Sequence, residues 1–164
     1  MGPCRDVLEA IVTVGEKARG SIFHCVDQDA EANEYAKKLL QGIKTDHVEL
    51  HWENRNAFRF QPKRFYDLVW SAGLFDYLND RLAIALIKNM WKWTADGGTM
   101  VVGNFHQNNP TRNYMEWGLD WVLIHRTEED FMRLCHEAGI PDECVRFDYE
   151  PFHTIIFCIA EKKK

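Results

Sequence analysis

Asp27 closes the apolar run SIFHCVD. A carboxylate at the carboxyl end of a buried strand can accept two hydrogen bonds from ribose hydroxyls. Its setting in Asp27-Gln28-Asp29 also suits capping of the helix that follows. Asn56-Ala57-Phe58 comes after the next strand-like stretch, where a side-chain amide could read the edge of an adenine. The competing role for a loop asparagine is to form a turn. Ser71-Ala72-Gly73-Leu74-Phe75 sets small residues at a third strand end, ahead of the aromatics Phe75 and Tyr77. Those two rings could form a ledge for a flat ligand or pack a helix. Gly2-Pro3-Cys4-Arg5-Asp6 reads as a turn entering a helix, where glycine lets a ligand approach backbone N–H groups.

The stretch NFHQNNPTRNYMEWGLD, residues 104–120, mixes polar and aromatic side chains. Arg112 could pair with a carboxylate. Glu116 and Asp120 stand four apart and would share a face if the stretch were helical. His106 and His125 are candidate bases, although a lone histidine more commonly serves the surface or the packing. No cysteine pair has CxxC spacing, and no metal-ligand pattern is present.

These residues need elements to position them. Apolar spacing predicts helices over 5–18, Glu31–Gln41, with Ala32, Tyr35, Ala36, Leu39 and Leu40 on one face, and Arg81–Trp93, with Ala83, Leu86, Ile87, Met90 and Trp91 on one face. Gly42 supplies a stop. Thr127 followed by Glu128, Glu129 and Asp130 marks another helix start. Strands are predicted over Ser21–Asp27, around Val48–Trp52, over Phe65–Ser71 as a buried strand, and over Thr99–Phe105 after an Asp96-Gly97-Gly98 turn. Cys144–Tyr149 and Thr154–Ala160 share only a short turn around Pro151, so they must pair antiparallel. Alternating units of this kind predict an α/β fold: a mainly parallel sheet with helices on both faces and a C-terminal antiparallel strand pair. The chain opens on a helix, so the expectation is a single domain over 1–164, N-terminally truncated, with its first strand missing.

Composition narrows the field. With 164 residues, 46% of them hydrophobic, and six Trp, the chain can bury a full core. Lys and Arg number 20 against 25 Asp and Glu, an acidic balance that argues against nucleic acid as the main ligand. No apolar run approaches the ~20 residues needed to span a membrane, and no signal peptide is visible. Five cysteines without a framework fit a reducing, cytoplasmic setting.

Taken together, the segments resemble class I, Rossmann-like S-adenosylmethionine (SAM)-dependent methyltransferases from Gly2 to about Ala160. Gly2-Pro3-Cys4-Arg5-Asp6 looks like the tail of the family's glycine-rich first motif, although Cys4 stands where glycine is frequent. FHCVDQD looks like the second motif, Asn56-Ala57 stands where the family often has Asp-Ala, and YDLVWSAGLFDYL is similar to the fourth motif. ADGGTMVVGNF resembles the fifth strand with its leading turn, and the closing pair resembles the family's strand 7 inserted before strand 6. SAGLFDYLNDR with GNFHQNNPTRNYMEWGLDW further resembles a bacterial subgroup linked to methyl ester formation on 3-hydroxy fatty acids.

The resemblance implies SAM as cofactor, held by Gly2, Pro3, Asp27, Gln28, Asn56, Ala57, Ser71, Gly73 and Phe75. It implies a small-molecule acceptor, such as a fatty-acid-like carboxylate, contacted by Asn104, Arg112, Tyr114 and Glu116. Catalytic residues are not identified: a carboxylate acceptor needs no base, whereas a hydroxyl does. Two other classes remain open, a nicotinamide dehydrogenase and a non-catalytic interaction module. In the second, an open sheet would expose backbone and apolar surface and favour oligomers.

Overall fold

A computed structural model describes residues 5–41 and 47–164. Gly2, Pro3, Cys4 and the helix-stop Gly42 lie outside the described residues. The chain divides into two compact units, Met1–Gln61 and Pro62–Lys164.

In the first unit, α1 (Arg5–Val14) runs into a 3-10 turn, Gly15–Ala18, and is followed by β1 (Ile22–Asp27), α2 (Ala30–Leu40) and β2 (Glu49–Asn54). β1 and β2 are parallel and in register from Ile22↔Glu49 to Asp27↔Asn54. α2 begins where it does because the Asp29 carboxylate accepts the N–H groups of Glu31 at 2.9 Å and Ala32 at 3.3 Å, satisfying donors that have no partner inside the helix. Its buried face carries Asn33, Ala36 and Leu40, rotated from the expected one, and Tyr35 is exposed. The Asn33 side-chain amide donates to the Asp27 carbonyl at 3.1 Å, so a polar contact, not only apolar spacing, decides which face turns inward.

The second unit holds β3 (Tyr66–Ala72), α3 (Asp80–Trp93), β4 (Thr94–Phe105), α4 (Glu128–Glu137), β5 (Val145–Tyr149) and β6 (Ile155–Glu161). The strand order is β3-β4-β6-β5. β3 and β4 are parallel, and β6 runs antiparallel to both of its neighbours. The last strand is thus inserted beside β4, ahead of β5. A single mainly parallel sheet was expected; hydrogen bonding instead forms a parallel two-stranded sheet and a mixed four-stranded one. β3 was expected to be buried, yet it is the terminal strand of its sheet, and Leu68 and Trp70 are 56% and 44% exposed.

β4 also starts earlier than the glycine turn suggested. Asp96–Gly98 belongs to the strand as an irregular bulge, with Tyr66 opposite Thr94 and Leu68 opposite Thr99. A Cβ at Gly98 would stand 3.0 Å from the carbonyl oxygens of Tyr66, Asp67 and Ala95, so only glycine fits this crossing. Asn79 caps α3 by accepting the Leu82 N–H at 3.1 Å. The helix buries Ala83, Leu86, Ile87 and Met90, each large side chain contributing about 1.5–3 kcal/mol on transfer from water. α3 packs on β3 and β4, α4 packs on β5 and β6, and the two helices touch. They therefore lie side by side on one face of this sheet, where helices on both faces were expected. α4 opens on a capping box in which the Thr127 hydroxyl accepts the Asp130 N–H while the Asp130 carboxylate accepts the Thr127 N–H. Cys25, Cys135, Cys144 and Cys158 are buried free thiols. Among the described residues no helix is long and apolar enough to cross a membrane.

Candidate functional site

In the first unit, the carboxyl ends of β1 and β2 bring four of the expected residues together. Asp27 and Asn54 face each other at the end of the ladder. The Arg55 N–H donates to the Asp27 carbonyl at 3.0 Å, turning the chain after β2 back across the end of β1. That turn carries Asn56 to Gln28, where its side-chain amide donates to Gln28 Oε1 at 2.7 Å. Asn56 Oδ1 accepts the Phe58 N–H at 2.9 Å and caps the short 3-10 turn Ala57–Arg59. Asn56 therefore does form a turn, and it simultaneously fixes Gln28. Asp27 is half-buried; its Oδ1 accepts the Asp29 N–H at 2.9 Å. No described residue engages its second carboxylate oxygen, which is left to accept a hydrogen bond from a ligand.

In the second unit, β3 ends in a sharp turn at Gly73, whose φ of +76° favours glycine. The chain then drops Phe75 into the interior. Its ring is 0% exposed, so it supports the turn from beneath, and it is Tyr77 that stands outside. Ser71 is half-buried and Gly73 exposed. Asp76 is buried, and its carboxylate accepts the Phe105 N–H at 2.8 Å. Burial pushes the Asp76 carboxyl up from its ordinary value, against the pull of that N–H and of the Arg126 cation.

The segment after β4 differs most from expectation. Asn104 is 1% exposed; its amide donates to the carbonyls of Phe105 and Ile124 at 2.9 and 2.8 Å, and its Oδ1 accepts from Arg126 at 2.8 Å. It is a packing residue, because every position of β4 from Met100 to Asn104 is buried except for slight access at Val101. Arg112 Nε is paired with Glu116 Oε1 at 2.7 Å, so its charge is already compensated. Tyr114–Gly118 forms one π-helical turn, which leaves Tyr114 and Trp117 largely exposed, Trp117 at 90%. Asp120 lies beyond that turn with φ +51°, so it shares no helical face with Glu116. Trp121 Nε1 donates to the Tyr77 hydroxyl at 2.9 Å, and its ring meets Phe105 edge-on at 6.2 Å.

Of the two histidines, His125 is locked. Asn109 Oδ1 accepts from the Thr111 N–H and hydroxyl at 2.9 and 2.7 Å, so the amide NH₂ faces His125 Nε2 at 3.2 Å. Nε2 therefore accepts and Nδ1 donates to the Leu123 carbonyl at 3.1 Å, which assigns the neutral tautomer. Burial holds this imidazole below its ordinary value. His106 follows β4 directly and sets its ring edge-on to Tyr149 at 5.3 Å. Its Nδ1 is buried without a hydrogen-bond partner among the described residues.

Sequence reasoning missed Arg126, Asp76, Asn109 and Trp121. Asp76, Asn109 and Trp121 sat in flagged stretches, but none of them was singled out. Arg126, next to the helix cap Thr127, carries no local signal at all, since its partners are 22 to 51 residues away.

No protein-family model matches this sequence, and no curated protein matches it. Solved structures do. A possible exported protein from Bordetella parapertussis superposes with a TM-score of 0.70 at 22% identity, over 86% of this chain and 53% of that one. Human N-acetylserotonin methyltransferase in complex with SAM superposes at 0.69 and 16% identity, over 99% of this chain and 46% of that one. Magnesium protoporphyrin IX methyltransferase from Synechocystis with bound S-adenosylhomocysteine superposes at 0.68 and 11% identity, over 96% of this chain and 81% of that one. This chain thus has the α/β fold of SAM-dependent methyltransferases, and it spans about half the length of the Bordetella and human proteins.

Proposed function

We propose that this chain is the cofactor-binding core of a SAM-dependent methyltransferase acting on a small-molecule acceptor. The observation that carries the reading is the convergence of Asp27, Gln28 and Asn56 at the carboxyl ends of β1 and β2, where open α/β sheets bind ligands. A half-buried carboxylate with one uncommitted oxygen fits a ribose hydroxyl, and the Gln28–Asn56 amide pair fits the edge of a purine. On this reading Asp27 holds the ribose, and Gln28, Asn56 and Ala57 line the adenine. In the second unit, Ser71 and the backbone of Gly73 belong to the cofactor, with Phe75 supporting them from the interior. The likeness of Gly2-Pro3-Cys4-Arg5-Asp6 to a glycine-rich first motif supports assigning Gly2 and Pro3 to the cofactor as well.

SAM carries its methyl group on a sulfonium, which supplies a good leaving group. What remains for the protein is to align an acceptor with that methyl and exclude water. The exposed aromatics Tyr77, Tyr114 and Trp121 suit an acceptor with apolar surface. A fatty-acid-like carboxylate, as in the 3-hydroxy fatty acid methyl ester subgroup, would meet an Arg112 whose Nε is already held by Glu116. An acceptor hydroxyl would need a base; both nitrogens of His125 are engaged, and the Nδ1 of His106, which has no described partner, is buried.

Calorimetric titration with SAM, and in parallel with NAD, tests the proposal. Heat of binding with SAM alone is the expected result; binding of NAD alone would replace the reading with a dehydrogenase. The exposed apolar side chains of β3 favour a second reading, an interaction module. That reading gains if neither nucleotide binds and the chain self-associates in sedimentation.

A further inference from the structure

Arg126 is the largest fully buried polar side chain in the second unit, 2% exposed. Its Nη1 donates to the Phe75 carbonyl at 2.8 Å and to Asn104 Oδ1 at 2.8 Å. Its Nη2 donates to the Leu78 carbonyl at 2.5 Å and to Asp80 Oδ1 at 3.3 Å. Its backbone N–H donates to the Phe105 carbonyl at 3.0 Å, and its own carbonyl accepts the Gln107 N–H at 3.2 Å. One side chain therefore joins three segments: the turn after β3, the end of β4 and the strip 123–126. Asp76 adds a second staple between the same segments, with its carboxylate on the Phe105 N–H and its carbonyl on the Ile124 N–H at 2.8 Å.

A buried guanidinium is a costly way to fill space. Desolvating the charge costs several kcal/mol, its one direct carboxylate partner, Asp80, is long at 3.3 Å and half-exposed, and its Nε finds no acceptor among the described residues. An apolar side chain would fill the volume without that penalty. What an apolar side chain, or a lysine, lacks is a rigid fork that reaches acceptors on separate segments at once. Phe75 and Leu78, whose carbonyls Arg126 holds, bracket Tyr77, the partner of Trp121; Gly73 lies two residues before Phe75.

We infer that Arg126 is a positioning residue that couples the turn after β3 to the acceptor-side strip 121–126, so that a ligand ordering one orders the other. The inference rests on the methyltransferase reading for the identity of that ligand, but not for the existence of the clamp.

Hydrogen–deuterium exchange on the full chain, followed at the Phe105 and Ile124 amides, tests it. In R126K, which keeps charge and bulk but not the fork, both amides should exchange about 100-fold faster than wild type while α4 stays protected. R146K, an exposed arginine paired with Glu161, should leave them unchanged. SAM should slow exchange over 121–126 in wild type by about tenfold, and in R126K it should bind without that effect. N104S, which keeps Arg126 but removes the Nη1 acceptor together with the amide bonds to the Phe105 and Ile124 carbonyls, serves if R126K does not fold; it should show the same loss of transmission. Wild-type exchange at Phe105 and Ile124 in a folded R126K, or undiminished transmission from SAM in either variant, overturns the inference. Failure of wild type to bind SAM counts against the functional reading alone, and the exchange rates without ligand still decide the clamp.

Discussion

Replacing Asp27 should weaken SAM binding by an amount the local hydrogen bonds allow us to set. Asp27 Oδ1 is committed to the Asp29 N–H at 2.9 Å, so a single carboxylate oxygen remains for a ribose hydroxyl. One hydrogen bond to a charged acceptor contributes about 1.5–3 kcal/mol, so D27A should raise Kd by roughly 10- to 150-fold. D27N can keep its oxygen on Asp29 and turn its NH₂ outward. It replaces a charged acceptor by a neutral donor and should cost somewhat less, roughly 5- to 30-fold. D27A also loses the Asp29 contact, worth about 1 kcal/mol of stability, but Asp29 itself still caps α2, so the helix should persist. Isothermal titration calorimetry of the three proteins, with urea unfolding and far-UV circular dichroism to confirm the fold, separates binding from stability. A Kd for D27A within twofold of wild type, in a protein that remains folded, would refute the ribose assignment and the chemistry built on it.

Three further outcomes concern the framework. Because the folded state holds His125 below its ordinary value, the unfolded chain binds the proton more readily. The stability that the neutral ring contributes is complete above pH ~6.5 and is lost as pH falls from there toward the lower folded pKa. Thermal melts from pH 8 to 5 should therefore fall more steeply for wild type than for H125Q, and parallel curves would count against the locked tautomer. G98A should destabilise the second unit by about 1–3 kcal/mol, read from the urea midpoint, because its Cβ would press on three carbonyl oxygens. T127A should cost about 1 kcal/mol in the same assay through loss of the capping box of α4, and a neutral result would show that the cap is dispensable.

The local chemistry of this chain was legible along the sequence. The helix start at Thr127, the helix over Arg81–Trp93, the strand closing on Asp27 and the antiparallel end of the sheet all follow from period, caps and turn length, which act over a few residues. Asp27 and Asn56 could be picked out for the same reason, since strand ends are visible locally, whereas Gln28 and Ala57 entered through the motif resemblance; the fold gathers all four. Tertiary structure decided the rest. Phe75 and Asn104 looked like ligand contacts because they sit at strand ends, but burial is set by neighbours far along the chain, and both went inward. Arg112 looked like a free cation until the turn at Tyr114–Gly118 brought Glu116 onto it. Arg126 was invisible, because a side chain that joins residues 75, 78, 80 and 104 has meaning only once those residues have been brought together.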